Sequence, residues 1–404
     1  MNRTVDALVV GAGPAGLAVA ARLAALGAGR VEVLEREPEA GGVPRHCHHG
    51  GFGGWLPGPV YSRGLTEAAV WCGAVVRTGV SAIGWAGPLT VEVTGPGGLE
   101  RITARAVVLA TGARERPRSA RLVPGSRPAG VLTTGELQQA VHLYGQPVGR
   151  RAVVVGAEPV AYHAVRTLRR AGARVVALVT EQPRGAWAGT AGRAGGGVLA
   201  APPPVLTGTA VTELLGRGRL SGVRIRHADG RTGVVGCDTV VFTGDWIPDH
   251  ELARYGGLAL DPGTRGPAVD ASFRTSEPGV FAVGNVLRGV ERAAVAAAEG
   301  AAAADQVLAH LSGAPWPVLG PPLVVRAPLV WVSPNRVTGA GAGRMLLRSG
   351  APLVNPVVTV DQDGARLHRA RVLGPVSPWR SMRLPLRWTA RVGLDGGPVV
   401  IGVA

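Results

Sequence analysis

Apolar and polar residues follow the order strand, turn, helix, strand along the first 36 positions. A short apolar run reaches Val10, a glycine-rich turn follows, and an Ala- and Leu-rich stretch leads into a second apolar run that ends at Glu35. Short apolar runs bounded by turn residues indicate buried strands, and a longer periodic stretch indicates a helix. The pattern predicts a strand–helix–strand unit at the N-terminus.

The same order returns at Arg151, in RAVVVGAEPVAYHAVRTLRRAGARVVALVTE. Between the two units, LTVEVTGPGGLERITARAVVLATG predicts two strands around a Gly-Pro-Gly-Gly turn and then a separate buried strand that ends at Gly112. The segment RLSGVRIRHADGRTGVVGCDTVVFTGDWIPD predicts a hairpin and a further strand that ends at Gly244. From Pro315 onward, short β segments between prolines predict a small all-β module.

The formal charge of +16 comes without any lysine, because all 43 basic residues are arginines scattered along the chain. Scattered arginines without interleaved aromatic residues indicate a compositional bias, so we expect no nucleic-acid partner. The absence of lysine excludes enzymes that form a Schiff base and NTPases that use a Walker lysine.

The chain has three cysteines, Cys47, Cys72 and Cys237, without a CxxC motif. Neither a disulfide framework nor a thiolate metal site is predicted, and a reducing cytoplasm fits this usage. We also expect no membrane span, because the most apolar late segment, residues 318–332, is broken by Arg326 and three prolines and is shorter than the roughly 20 residues that a span needs.

A GxGxxG motif, formed by Gly11, Gly13 and Gly16, lies between the first strand and the first helix. Such glycines let the backbone approach a pyrophosphate at the N-terminus of the helix. Glu35 ends the next strand, where a carboxylate accepts hydrogen bonds from an adenosine ribose. This combination predicts dinucleotide binding.

Two later segments, VVLATGARERPR and TSEPGVFAVGN, resemble the two FAD segments of the FAD/NAD(P)-dependent pyridine nucleotide-disulfide oxidoreductase superfamily, and the resemblance covers roughly residues 5 to 312. It implies FAD as the cofactor and a helix around Glu299 and Gly300 whose N-terminal end faces the flavin. In the superfamily the second segment ends in Gly-Asp, whereas this chain has Asn285, so weakened ribityl binding is expected. The candidate FAD-binding residues are Gly11, Gly13, Pro14, Ala15, Gly16, Glu35, Arg36, Gly42, Arg45, Thr111, Gly112, Gly284 and Asn285.

Within the superfamily, GARERPR, RPAGVLTTGELQQ and GGVPRHCHHGGFG are most similar to the flavoprotein subunits of amine and opine oxidases and of hydrogen cyanide synthase, and to uncharacterised actinobacterial relatives. This similarity implies oxidation of an amine or amino acid derivative. The larger relatives carry a cysteine-rich iron–sulfur segment that this sequence does not contain, which puts an internal electron relay of that type in doubt.

The loop RHCHH lies where disulfide reductases of the superfamily carry their redox cysteine pair. Cys47 has no nearby partner, so dithiol chemistry is not expected there. The candidate catalytic residues are His46, His48 and Cys47, with an imidazole acting as the base. A loop that only hydrogen-bonds the flavin or faces solvent is an equal alternative, and consecutive residues rarely converge on one metal ion, so no metal site is predicted.

The second glycine motif is degraded to Gly156, Glu158 and Ala161. An anionic side chain replaces the middle glycine where an NAD(P) pyrophosphate would approach, which disfavours tight binding by like-charge repulsion. NAD(P)H is therefore left open as a second cofactor. In the segment FTGDWIPDHEL, Trp246 and Asp249 are expected to serve packing.

The sequence thus predicts an α/β fold with two Rossmann-like FAD/NAD(P)-binding domains of the three-layer ββα type and a small C-terminal all-β module. The expected division is residues 1–125 and 265–312 for the FAD domain, 126–264 for the NAD(P)-binding-like domain, and 313–404 for the β module. The expected function is a cytoplasmic FAD-dependent oxidoreductase in which the flavin accepts a hydride from a small organic substrate or from NAD(P)H. The alternatives are an NAD(P)H-dependent reductase and a non-catalytic or electron-transfer subunit; either a partner oxidoreductase or a homo-oligomer is left open.

Overall fold

The computed structural model describes residues 2–183, 203–339, 341 and 343–404. They form two compact units. The first contains Met1–Pro44, Val60–Arg114 and Ile247–Ala404, and the second contains Arg45–Pro59 and Glu115–Trp246. The four-part domain division expected from the sequence stays a prediction.

The first 115 residues contain two helices and seven strands. Their bounds are β1 (Asn2–Val10), α1 (Pro14–Ala25), β2 (Val31–Glu35), α2 (Gly58–Trp71), β3 (Val75–Thr78), β4 (Ser81–Gly87), β5 (Thr90–Gly95), β6 (Gly98–Leu109) and β7 (Ala113–Glu115), with a 3₁₀ turn at Val43–His46. The strand order in the first sheet is β3-β2-β1-β6-β5-β4. The parallel pair β1-β2 with α1 is the strand–helix–strand unit that the sequence predicts, and β3 extends the parallel sheet beside β2.

The two strands expected after the Gly-Pro-Gly-Gly turn are a single strand, β6. Its first half pairs antiparallel with β5, and the strand pairs parallel with β1 from Arg101 to Leu109. The expected break between two strands is therefore wrong, because the partner β1 is long enough to hydrogen-bond both halves in one register.

The second unit contains a parallel sheet and an antiparallel sheet. Its elements are β8 (Val131–Thr133), α3 (Thr134–His142), β9 (Arg151–Val155), α4 (Pro159–Arg170), β10 (Arg174–Val179), β11 (Val205–Leu206), β12 (Thr209–Arg217), β13 (Arg219–His227), β14 (Thr232–Gly236), β15 (Thr239–Phe242) and β16 (Trp246–Pro248), the last of which begins in this unit and ends in the first. The parallel order is β11-β10-β9-β15-β8, and β12-β13-β14 form the hairpin sheet. The repeated unit at Arg151 and the hairpin are thereby confirmed.

The chain then returns to the first unit. The return segment comprises α5 (Glu251–Tyr255), β17 (Val280–Ala282), a 3₁₀ turn at Gly284–Val286 and α6 (Ala293–Leu311). Strand β17 pairs parallel with the end of β6, and α6 packs along α1 through small residues such as Ala303 and Ala304. This return completes the sheet that carries the GxGxxG motif.

The C-terminal strands form a small β module within the first unit. They are β18 (Leu323–Val325), β19 (Leu329–Ser333), β20 (Arg344–Ser349), β21 (Leu353–Val354), β22 (Val357–Gln362), β23 (Ala365–Arg371), β24 (Pro375–Val376), β25 (Met382–Pro385) and β26 (Val399–Val403), with a 3₁₀ turn at Arg387–Arg391. Trp388 is fully buried in the core of this module. Trp316 lies outside this core and packs edge-on against Phe281 and His310, beside the cluster formed around α1 and α6. The predicted fold class is confirmed.

Candidate functional site

The N-terminus of α1 presents an open anion-binding position. Gly13 precedes the helix with φ −82° and ψ −175°, Pro14 is its first residue, and no side chain caps it. A Cβ built on Gly13 meets nothing within 4 Å. Uncapped N–H groups, the positive end of the helix dipole and this space together fit a pyrophosphate.

The other two glycines of the motif allow close packing. Gly11 has φ +106°, and a Cβ there would lie 2.4 Å from the carbonyl oxygen of Ala110. A Cβ on Gly16 would lie 1.9 Å from the carbonyl oxygen of Gly11. Both distances are far inside van der Waals contact, so these positions require glycine for the turn and for the approach of helix to strand.

Glu35 is oriented towards the same turn. Its buried carboxylate accepts the Ala12 N–H at 3.1 Å and the Glu37 N–H at 3.0 Å. A carboxylate has about four lone-pair sites, so acceptor capacity remains for two ribose hydroxyls. The residue at the end of β2 therefore fits the adenosine half of FAD.

Asp249 links several of the candidate residues. Its carboxylate pairs with Arg36 at 3.3 Å, its carbonyl accepts the Thr111 hydroxyl at 2.6 Å, and its N–H donates to the carbonyl of Gly112 at 2.9 Å. The motif pattern indicated only a packing role for Asp249. Its acidic side chain lies 213 positions after Arg36, and no local pattern predicts this pairing.

The late loop, which is the 3₁₀ turn at Gly284–Val286 with the residues up to Arg292, packs directly on the start of α1, as does Gly300 of α6. A Cβ on Gly284 would lie 2.7 Å from the Cβ of Ala15, and one on Gly300 would lie 2.1 Å from the Ala15 carbonyl oxygen. The helix that carries Gly300, α6, also begins without a side-chain cap. Two uncapped helix N-termini in one unit fit the pyrophosphate and the pyrimidine of a single FAD.

The side chain of Asn285 holds the late loop together by hydrogen bonds to the backbone of Glu291. Its amide nitrogen donates to the Glu291 carbonyl at 3.2 Å, and its amide oxygen accepts the Glu291 N–H at 2.9 Å. An aspartate has no donor for that carbonyl, which gives a physical reason for the amide. One N–H and one lone pair of Asn285 remain for a ribityl hydroxyl.

The predicted FAD residues of the first unit thus converge, including Gly42, where a Cβ would lie 2.8 Å from the Gly13 Cα. Arg45 is the exception, because it belongs to the second unit together with the loop that follows it. Their assignment as ligands of FAD stays a prediction.

The loop that carries His46 is tied to the second unit. His46 is buried, and its Nε2 has no hydrogen-bond partner among the described residues. Burial, helped by the neighbouring Arg45, lowers the pKa of His46 to about 4. The imidazole is therefore neutral at pH 7, with a ring nitrogen left for a ligand.

The Cys47 thiol is buried beside Gln138, with its Sγ 3.4 Å from the amide oxygen. Burial, followed by the charge of Glu115, raises the pKa of Cys47 to about 12. Since the thiolate is the reactive form, we propose no covalent chemistry for this residue.

Two stacked imidazole pairs hold the loop. The His48 ring stacks on His142 with centroids 4.2 Å apart, and the His49 ring stacks on His163 at 3.5 Å. Burial, followed by the neighbouring histidine, lowers the pKa of His142 to about 4 and that of His163 to about 3. These contacts join residues far apart in sequence and were not predicted.

An open cleft of about 600 Å³ lies beside the stacks. Its walls carry imidazoles, guanidinium groups and one highly exposed indole. The lining residues are His48, His49, Gly50, Gly51, Gly54, Trp55, Pro57, Arg166, Arg169 and Arg170. Arg170 also donates to the His48 carbonyl at 2.6 Å. The cleft has the charge and size to take a small anion.

Residues 5–300 match the model of the pyridine nucleotide-disulphide oxidoreductase family. The chain belongs to this family. Family members bind FAD and NAD(P)H, and the chain is an FAD-dependent oxidoreductase, as the sequence predicts.

Two curated relatives are components of oxidases. An opine oxidase component from Agrobacterium tumefaciens (strain Ach5) is 29% identical over 76% of this chain and 66% of its own length. The alpha subunit of sarcosine oxidase from Corynebacterium sp. (strain P-1) is 32% identical over 54% of this chain and 23% of its own length. The chain thus spans just under two thirds of the first relative and about a quarter of the second.

Solved structures share the fold. Thioredoxin reductase of T. acidophilum matches with a TM-score of 0.62 at 23% identity, over 76% of this chain and 98% of that one. L-proline dehydrogenase from P. horikoshii matches with a TM-score of 0.59 at 19% identity, over 77% of this chain and 56% of that one.

Two expected absences concern membranes and metals. None of the described helices is long and apolar enough to cross a bilayer. Within residues 2–183, 203–339, 341 and 343–404, no group of three His, Cys, Asp or Glu side chains is placed to hold a metal ion.

Proposed function

We propose that the chain oxidises a small amine or amino acid derivative, with FAD held by the glycine turn of the first unit. The names of the relatives, opine oxidase and sarcosine oxidase, support this substrate class. Bound FAD supplies the acceptor for the hydride that leaves the substrate carbon. The protein's task is to hold the substrate amine and to take up a proton from its nitrogen as the hydride leaves the carbon.

The observation that carries this proposal is the state of His46. It is a buried, neutral imidazole whose Nε2 has no hydrogen-bond partner among the described residues. A neutral imidazole can accept a proton and an imidazolium cannot; because a ring with a pKa of about 4 is a weak base, the proton is shared with the ring in the transition state rather than held on it. We therefore assign His46 as the proton acceptor and keep His48 as the alternative.

The basic cleft suggests how a carboxylate-bearing substrate is attracted. Arg166, Arg169 and Arg170 place guanidinium groups around the cleft beside His48 and His49. Guanidinium groups pair with carboxylates in a planar, two-bond geometry. An amino acid derivative with a free carboxylate fits these walls better than an uncharged amine.

A second candidate is a protein that works only with a partner. Both relatives described above are named as subunits, and this chain covers only part of their length. Co-purification of a second flavoprotein, with no turnover by the isolated chain, favours this candidate over a self-sufficient oxidase or a homo-oligomer. The presence of three cysteines without a CxxC motif suits the cytoplasmic location expected from the sequence.

The test is anaerobic mixing of the FAD-loaded chain with amines, opines and N-methyl amino acids, followed by loss of flavin absorbance. The expected result is bleaching by at least one carboxylate-bearing amine, slowed roughly 10²- to 10⁴-fold in His46→Asn. His227→Asn, in the hairpin sheet, is the matched control and leaves the rate unchanged. Equal rates in His46→Asn, His48→Asn and the parent chain would remove the assignment of a histidine base.

A further inference from the structure

The second dinucleotide-type fold has its crevice at a defined place. In its parallel sheet, β9 continues through β10 to β11 on one side, while β15 and β8 lie on the other. Such a reversal of strand order creates a crevice outside the carboxyl ends of the two central strands, where dinucleotides bind. Gly156 follows β9 and Gly244 follows β15, so these two glycines form its walls.

The side chain of Glu158 lies in that crevice. A Cβ built on Gly156 would be 2.7 Å from one carboxyl oxygen of Glu158, and a Cβ on Gly244 would be 3.2 Å from its carboxyl carbon. The side chain is almost fully buried, and its Oε1 has no hydrogen-bond partner among the described residues. The carboxyl group therefore occupies the space between the two glycines.

The first unit provides the comparison within the same chain. Gly13 directly precedes α1, which follows β1, and Glu158 directly precedes α4, which follows β9; each helix begins with proline. The space in front of Gly13 is open, whereas Glu158 fills the equivalent position. Glu158 makes no side-chain cap of α4, so helix capping does not explain its orientation.

The walls of the crevice are also fixed by Arg121. Its guanidinium donates to the carbonyl of Thr243 at 3.1 Å and to that of Gly244 at 2.6 Å. Burial raises the pKa of Glu158, while the Thr243 hydroxyl, the nearby backbone N–H groups and the charge of Arg121 oppose that rise. In the ionised form the carboxylate repels a pyrophosphate, and in the protonated form it still occupies the volume.

We infer that Glu158 is a specificity-determining residue that closes the second dinucleotide crevice, so that this chain does not take NADH or NADPH there although its family binds them. The residues present do not fit the nicotinamide cofactor. The inference is independent of the amine substrate proposed above, because it concerns binding in the second unit only.

The test measures binding of NADH, NADPH and ADP-ribose to the FAD-saturated full chain by calorimetry and equilibrium dialysis. The parent chain and Glu158→Gln, which keeps the volume and removes the charge, are expected to show no saturable binding. Glu158→Gly, which restores the GxG pattern, is expected to bind ADP-ribose at least about tenfold more tightly than the parent chain. Retained flavin absorbance in each variant shows that the first unit is intact.

Glu213→Gln serves as the matched control, because Glu213 is an exposed carboxylate of the same unit, paired with Arg224 at 2.8 Å. It is expected to bind no better than the parent chain. Saturable binding of NADH to the parent chain, or equal binding by Glu158→Gly and the parent chain, overturns the inference. Tight binding by Glu158→Gln overturns its steric basis.

Discussion

Replacement of Gly13 by alanine separates flavin binding from folding. The backbone of Gly13 is extended, with φ −82° and ψ −175°, which alanine adopts without strain. The added methyl group meets nothing within 4 Å. We expect the stability of the apoprotein to stay the same or to rise by about 0.4–1 kcal/mol, since alanine lowers the entropy of the unfolded chain.

The same methyl group enters the space that a pyrophosphate needs. Inserting a methyl into a closely packed contact costs typically about 1–3 kcal/mol, which corresponds to roughly 5- to 150-fold weaker binding. Because a ligand that binds only the folded state stabilises it in proportion to the logarithm of its affinity, FAD in excess should protect Gly13→Ala from unfolding by about 1–3 kcal/mol less than the parent chain.

Two measurements check this expectation: fluorescence titration of the apoprotein with FAD, and urea unfolding with and without FAD. Gly64→Ala is the matched control, because Gly64 lies in α2 and a Cβ added there meets nothing within 4 Å. It should gain up to about 1 kcal/mol from helix propensity and bind FAD normally.

Gly16→Ala should behave differently from both, since its Cβ would lie 1.9 Å from the Gly11 carbonyl oxygen and would disturb the apoprotein itself. If Gly13→Ala binds FAD as tightly as the parent chain, the glycine turn is not the phosphate site. If its apoprotein unfolds, the open space in front of Gly13 has been misjudged.

Two further predictions concern acid pH and the late loop. Burial lowers the pKa of His163 from its usual 6.5 to about 3, so between these pH values the unfolded chain binds a proton that the folded chain does not. The contribution of His163 to the free energy of unfolding is therefore full above pH 6.5 and falls by up to about 2 kcal/mol at pH 5. His163→Phe should remove this part of the pH dependence in urea unfolding. Asn285→Asp loses the donor to the Glu291 carbonyl, so the free energy of unfolding of the apoprotein should fall by about 1–2 kcal/mol in the same assay, and unchanged stability would contradict the loop-closing role.

Local sequence patterns predicted the elements whose formation depends mainly on neighbouring residues. The glycine spacing at Gly11, Gly13 and Gly16 predicted a turn between a strand and a helix, and the structure has β1, that turn and α1 in this order. The extent of β6 was not predictable in the same way. Its continuity depends on pairing with β1 along most of its length, and that partner lies about 100 residues earlier.

The candidate site likewise contains residues that a local motif predicts and contacts that it does not. The turn at Gly13 and the carboxylate of Glu35 follow from a motif with fixed spacing. The stacking of His49 on His163 and the pairing of Arg36 with Asp249 join residues more than 100 positions apart. No periodicity or spacing encodes such contacts, because they arise only when separate elements pack, and a single sequence gives no measure of that packing.

One substitution distinguishes the two dinucleotide-type folds of this chain more sharply than their topology does. Both have a parallel sheet in which a strand is followed by a glycine and a helix that begins with proline, but one has Gly13 and an open space where the other has Glu158 and a filled one. A shared fold therefore does not establish a shared ligand, since the ligand is decided by the side chain at the crevice. The inferred closure of the second crevice would leave an organic substrate rather than NAD(P)H as the source of electrons for the flavin, and the names of the oxidase relatives support the same proposed class of reaction.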